Sequence, residues 1–239
     1  MSLFHVFVVA HICTGAVGLV LFWVPVIGGK GTRSHRRFGK VFAYCLLATG
    51  VSAIGMSLCT LSDPRGTHPD LADTVLVSGL FGWMMLYLAV LTISLAWHGL
   101  MTIRNKAAHA ENRRWWNVAL QGAAIFAALN CATQGMLIGQ PLMMGIAVVG
   151  VASGVTNLVF IFTERPARMA FLKEHVKALV GAGISVYTAF MTFGLARLLP
   201  SHAFNPTLWA IPIVVGISII LYHHRRLARA AGARSVAAE

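Results

Sequence analysis

Acidic side chains are nearly absent from this chain. Only seven Asp and Glu occur in 239 residues, and all of them, Asp63, Asp70, Asp73, Glu111, Glu164, Glu174 and Glu239, lie outside the long apolar runs or at their edges. A proton-coupled carrier or pump ordinarily keeps an ionisable group, commonly a carboxylate, at mid-membrane depth, and the apolar runs offer none. The same absence argues against paired-carboxylate acid/base chemistry inside a membrane. Charged residues of both signs make up 11% of the chain, too few to cover the surface of a soluble domain. Cysteine is scarce as well. Cys13, Cys45, Cys59 and Cys131 all fall in apolar runs without C-x-x-C spacing, so they read as small buried residues rather than a redox pair or zinc site. No H-E-x-x-H, G-x-S-x-G or P-loop pattern is present, which removes the usual signatures of zincins, serine hydrolases and nucleotide-binding enzymes. Residues 1–29 contain no Lys or Arg, so the basic region of a secretory signal is missing and the first apolar run is expected to stay as a helix.

What is abundant is uncharged apolar sequence. Hydrophobic residues make up 57% of the chain and the mean hydropathy is +0.74. A bilayer core about 30 Å thick needs about 20 apolar residues per helix. The charge-free intervals give helices over about 3–27, Val41–Ser62 and Thr74–Ile103. The 49 residues from Trp115 to Thr163 are too many for one span, and Gly139-Gln140-Pro141 divides them into a fourth and a fifth. A sixth runs from about His175 to Leu199 and a seventh from about Pro206 to His224. The predicted architecture is an all-α polytopic membrane bundle of seven transmembrane helices, residues 1–224, followed by a basic cytoplasmic tail, 225–239.

The basic residues orient it. Of 19 Lys and Arg, 17 follow odd-numbered helices, beginning with the five in Gly28–Lys40, GGKGTRSHRRFGK, which reads as the first cytoplasmic loop; only Arg65 and Arg197 fall on the other side. By the positive-inside rule the N-terminus faces outward and the C-terminus faces the cytoplasm. The net charge of +12 is explained by topology and anionic lipid, not nucleic acid.

Chemistry must come from the ten histidines. His5, His11, His68 and His202 lie toward the outside; His35, His98, His109, His175, His223 and His224 toward the cytoplasm. Counting about 1.5 Å per residue puts His11 about 12 Å below the outer end of the first helix and His98 about 9 Å inside the cytoplasmic edge. Neutral imidazole ligates haem iron, copper and zinc, and transmembrane b-type haems are held by histidines from two helices. His98 and His175, with His35 in the loop facing them, are the cytoplasmic candidates. Gln121 and Asn157 come out at the depth of His98, where they could support a ligated histidine, line a pocket for a polar molecule, or simply bond helices together.

The pattern His11-x3-Gly15, Lys30-Gly31, His35-Arg36-Arg37-x-Gly39, then Glu174-His175 and Tyr187-Thr188-Ala189-Phe190, resembles a bacterial family of multi-pass membrane proteins known only as a domain of unknown function. The resemblance implies a bacterial inner (plasma) membrane location. It favours His11, His35 and His175 over His98, and brings Tyr187 into the candidate pocket. Arg36, beside His35, could hold lipid phosphate or an anionic ligand such as a haem propionate.

The resulting expectation is an integral membrane protein with a cytoplasmic-side histidine site. One reading has haem b or a transition metal on His35 and His175, with a membrane redox partner, for electron transfer or its assembly. Others are a binding or transport protein for a small polar or anionic molecule, and a non-catalytic accessory subunit.

Overall fold

A computed structural model describes residues 2–167, 169–194 and 206–236. Arg168, Arg197 and His202, and the end of the sixth predicted helix at Leu199, lie outside the described residues. Those described are helical or in turns, with no strand among them. The long helices are α1 (Leu3–Ile27), α2 (Arg33–Ser62), α5 (Met85–Arg104), α6 (Trp115–Leu137), α7 (Pro141–Phe162), α8 (Ala170–Ala189) and α9 (Pro206–Val236). Two short helices, α3 (Pro64–Thr67) and α4 (Thr74–Val77), lie between α2 and α5, and a π-helical turn, Ser78–Met84, joins α4 to α5. Five helical segments are long and apolar enough to cross a membrane: Leu3–Ile27, Arg33–Ser62, Thr74–Arg104, Pro141–Phe162 and Ala170–Gly194. Their outward faces carry exposed side chains such as Val9, Val20, Val148 and Val159, which is compatible with contact with a lipid bilayer.

Small residues set the packing, because helices in lipid associate through close backbone approach rather than hydrophobic burial. Gly15 and Gly18 of α1 meet Thr49 and Leu46 of α2, and a Cβ on Gly18 would lie 3.2 Å from Leu46 Cδ2. α5 is the centre of the bundle, packing on α2, α6 and α8. Tyr87, Leu91 and Leu95 of α5 are buried there. Gly150 of α7 admits the Tyr87 ring, whose hydroxyl donates to the Ile146 carbonyl at 2.7 Å. α8 brings Gly183 against Phe22 of α1, and α9 rests on α8 through Gly216 and Ile184.

Two boundaries differ from the sequence reading. Most of the basic stretch Gly28–Lys40 is helix: α2 starts at Arg33, capped by Thr32, whose hydroxyl accepts from the His35 amide at 3.2 Å. Only Gly28–Thr32 turns, with Gly31 at φ +78°, a left-handed conformation that suits glycine. Likewise α8 begins at Ala170, which places Glu174 a turn inside the helix rather than at its edge. The predicted break at Gly139-Gln140-Pro141 is where α6 and α7 part, with Gly139 at φ +66° and Pro141 opening α7. Between α2 and α5, the Asp63 carboxylate accepts from the Gly66 amide and that of Asp73 from Val75 and Leu76, so both acids are helix caps.

Candidate functional site

Near its start α8 presents Glu174 and His175 to α5. His175 Nδ1 lies 2.8 Å from the Gly99 carbonyl oxygen. A carbonyl only accepts, so Nδ1 carries the proton and Nε2 keeps its lone pair. One residue away, Glu174 Oε2 lies 3.4 Å from His98 Nε2 and 2.6 Å from Lys177 Nζ. The His98 side chain is 4% exposed and packs edge-on against Phe160 of α7. Lys177 reaches across to donate to Thr156 Oγ1 of α7 at 3.2 Å. His98 is therefore held in an acid–base cluster, and its Nε2 would have to leave Glu174 before ligating anything else.

His35, in the first turns of α2, is half-buried, and its Nδ1 is shielded from solvent without a hydrogen-bond partner. Its electrostatic neighbours include Lys30, His175 and His223. Three elements far apart in sequence, the start of α2, the start of α8 and the middle of α9, thus bring histidines to one end of the bundle. Arg36 is exposed beside them. Lys30 donates to the Pro25 and Val26 carbonyls at 2.6 and 2.5 Å, capping the C-terminus of α1, where a cation is favoured. Partial burial and the Arg226 guanidinium lower the Lys30 ammonium below the usual lysine range. Among the described residues no carboxylate pairs with Lys30 or Arg226.

Between α1 and α9, at this same end, opens a groove of about 790 Å³. Lys30, His223 and Arg226 lie at its mouth, and Val26, Val215 and Ile219 contribute apolar wall. His223 is buried, and His224 donates through Nε2 to the Lys173 carbonyl at 3.0 Å, tying α9 to α8.

Gln121 and Asn157 form a separate polar centre. Asn157 Nδ2 and Ser94 Oγ both donate to Gln121 Oε1 at 2.9 Å, joining α5, α6 and α7, and all three side chains are buried. Trp97 Nε1 donates to Asn117 Oδ1 at 2.7 Å alongside. Ser94 lies one turn before His98 on α5, and Asn157 nearly one turn before Phe160 on α7, so the triad stacks next to the His98 cluster. The Tyr187 hydroxyl is occupied by α1: it donates to the Leu19 carbonyl at 2.8 Å and accepts from Trp23 Nε1 at 2.7 Å. His11 Nδ1 donates to the Thr49 carbonyl at 3.1 Å in the N-terminal half of α1, near the Thr49–Thr14 hydroxyl bond of 2.9 Å. It is remote in sequence position and depth from the basic end.

Among the described residues no three His, Cys, Asp or Glu side chains form a group that could hold a metal ion. Sequence reasoning set Glu174 aside as an edge residue; the Glu174-x-x-Lys177 spacing, an i,i+3 pair on one helix face, was the signal that could have found it. His109 was also missed as a structural residue: its Nε2 donates to the Phe160 carbonyl at 3.1 Å while Nδ1 accepts from Asn112 at 3.2 Å. No family model, no curated protein and no solved structure matches this chain.

Proposed function

We propose that this chain is an integral membrane protein of seven spans, N-terminus outside and C-terminus cytoplasmic, that binds a small anionic molecule at its cytoplasmic end. Five apolar helices support the membrane assignment, and 17 of 19 basic residues on alternate connections support the orientation. The resemblance of the His11, His35 and His175 segments to a bacterial membrane family supports the bacterial plasma membrane. The observation that carries the ligand class is the pair Lys30 and Arg226 beside buried His223, with no carboxylate among the described residues to neutralise either cation. At an effective dielectric constant of about 20, a unit cation roughly 8 Å away is worth about 2 kcal/mol in favour of a monoanion. The same field acts twice as strongly against a divalent metal ion. Thermal unfolding in detergent, across a panel of soluble phosphates and carboxylates, tests the reading. Stabilisation by one class, lost in Lys30→Gln, supports it; no shift with any anion contradicts it.

A second reading, haem b or a transition metal held by His35 and His175 in membrane electron transfer or its assembly, is favoured by one observation. The His175–Gly99 bond leaves the Nε2 lone pair free to ligate, as a carbonyl accepting from the other ring nitrogen does for metal-bound histidines, and His35 Nδ1 is buried without a partner. Arg36 would then be the candidate for a propionate. Oxidised and dithionite-reduced absorption spectra with elemental analysis test it. A reduced haem band lost in His175→Ala supports it, and no colour with no stoichiometric metal contradicts it.

A further inference from the structure

The groove between α1 and α9 changes chemistry along its length. Val214 and Val215 line it, then Ser218 and Ile219, then Tyr222, His223 and Arg226, with Lys30 opposite. From Val215 to Arg226 is eleven residues of helix, about 16 Å at 1.5 Å per residue, close to half of a hydrocarbon core about 30 Å thick. On the α9 side the lining therefore extends from the cationic end over about half the thickness of such a core, while α1 adds Val26 and Ile27 close to the cations. Its neighbouring helices are both attached to α8, α9 directly and α1 through Phe22 and Trp23, whose rings meet Tyr187 at 5.6 and 6.2 Å. Gly28 and Gly29 leave the mouth free of side chains on the α1 side.

A soluble anion would use the mouth and leave the apolar length in contact with something else. An amphiphile uses both, because its charge and its chain are separated along the same axis as the cations and the valines. We propose that the groove holds one anionic phospholipid from the leaflet at the basic end. Its phosphate sits on Lys30 and Arg226, and an acyl chain lies along Val215 and Ile219. This rests on the anion-binding reading and names its ligand. The Lys30 ammonium spends two of its three donors on the Pro25 and Val26 carbonyls, which fixes its position and leaves one for the phosphate. Arg226 adds a fork suited to two phosphate oxygens.

The test uses full-length protein, delipidated in detergent, with native mass spectrometry and thermal unfolding as readouts. Phosphatidylglycerol, phosphatidylcholine of the same chains, and inorganic phosphate are the three probes. One retained phosphatidylglycerol per chain is expected, with at least tenfold weaker retention of phosphatidylcholine. Lys30→Gln combined with Arg226→Gln is expected to remove that preference. Ser218→Trp puts bulk in the apolar length at an exposed position and leaves both cations in place, so it is expected to lose phosphatidylglycerol tenfold while sparing any response to phosphate. Equal retention of the two lipids, or wild-type retention by Ser218→Trp, overturns the proposal. If inorganic phosphate stabilises the wild type in a Lys30-dependent way and phosphatidylglycerol does not, the lipid is wrong and the anion reading survives. If neither acts, both fail.

Discussion

The Glu174 carboxylate of α8 lies between His98 Nε2 of α5, at 3.4 Å, and Lys177 Nζ on its own helix, at 2.6 Å. It is 18% exposed and sits in a segment long and apolar enough to cross a membrane. A charge there is tolerated because it is paired twice, and Lys177 passes the link to Thr156 of α7.

Glu174→Gln should therefore be costly out of proportion to its size. It removes the negative charge that faces both Lys177 and His98 and leaves only a neutral amide oxygen to accept from them. Removing one member of a fully buried pair costs about 3–5 kcal/mol, and partial exposure here reduces that to about 1–3 kcal/mol. A double-mutant cycle with Lys177→Met, read by unfolding in detergent, should return a coupling above 0.5 kcal/mol. Additive effects would mean the pair contributes nothing.

Gln121→Leu tests the role of the amide triad. It leaves Asn157 Nδ2 and Ser94 Oγ without their shared acceptor in a buried position. The expected loss is about 1–3 kcal/mol, above the average of about 0.6 kcal/mol for an interhelical hydrogen bond, because two donors are stranded together. Anion-dependent stabilisation should be unchanged, since among the described residues no hydrogen bond joins this triad to Lys30, His223 or Arg226. A loss of ligand response at unchanged stability would move Gln121 into the binding site.

Glycine substitutions separate packing from open surface. A Cβ on Gly150 would lie 2.5 Å from Tyr87 Cε2 and 2.6 Å from its hydroxyl, so Gly150→Ala must displace that ring and its bond to Ile146. The cost should be about 1–3 kcal/mol. Gly122, also mid-helix, has nothing within 4 Å of its built Cβ, and Gly122→Ala should be stabilising by about 0.4–1 kcal/mol. Equal effects at the two positions would contradict the α5–α7 packing.

Lys30 gives a pH dependence with a definite sign. Its ammonium is lowered by burial and by Arg226, so in the window just below the usual lysine value the folded chain binds fewer protons than the unfolded one. Stability from this group accordingly rises as pH increases through that window. A bound anion favours the ammonium, so anion affinity should fall over the same window. Lys30→Gln should abolish both trends in denaturation and binding curves taken across alkaline pH.

The long helices were legible because the bilayer forbids charge over about 20 residues and the chain obeys that rule plainly. The α6–α7 break was legible because Gly139 and Pro141 each have one physical use at a helix boundary. Helical spacing puts His11, Thr14, Gly15, Gly18 and Phe22 on one face of α1, and of these the structure buries Gly15, Gly18 and Phe22. The start of α2 was not legible from charge: Arg33, Arg36 and Arg37 look like loop by hydropathy, yet Thr32 caps a helix there. The candidate site was legible only in pieces. Gln121 and Asn157 were matched by depth, but Ser94 was overlooked because a serine in a helix usually bonds its own backbone. Glu174 was lost to a boundary error of five residues. The groove could not be read at all, since it depends on how the first and last long helices lean on α8.

Calorimetric titration of delipidated protein with a short-chain anionic phospholipid below its micellar concentration tests the proposed anion site at Lys30 and Arg226 most directly. One equivalent binding to the wild type, with affinity at least tenfold weaker in Lys30→Gln/Arg226→Gln and falling as salt is raised, is the expected result. No saturable heat, or identical titrations for wild type and variant, would contradict it.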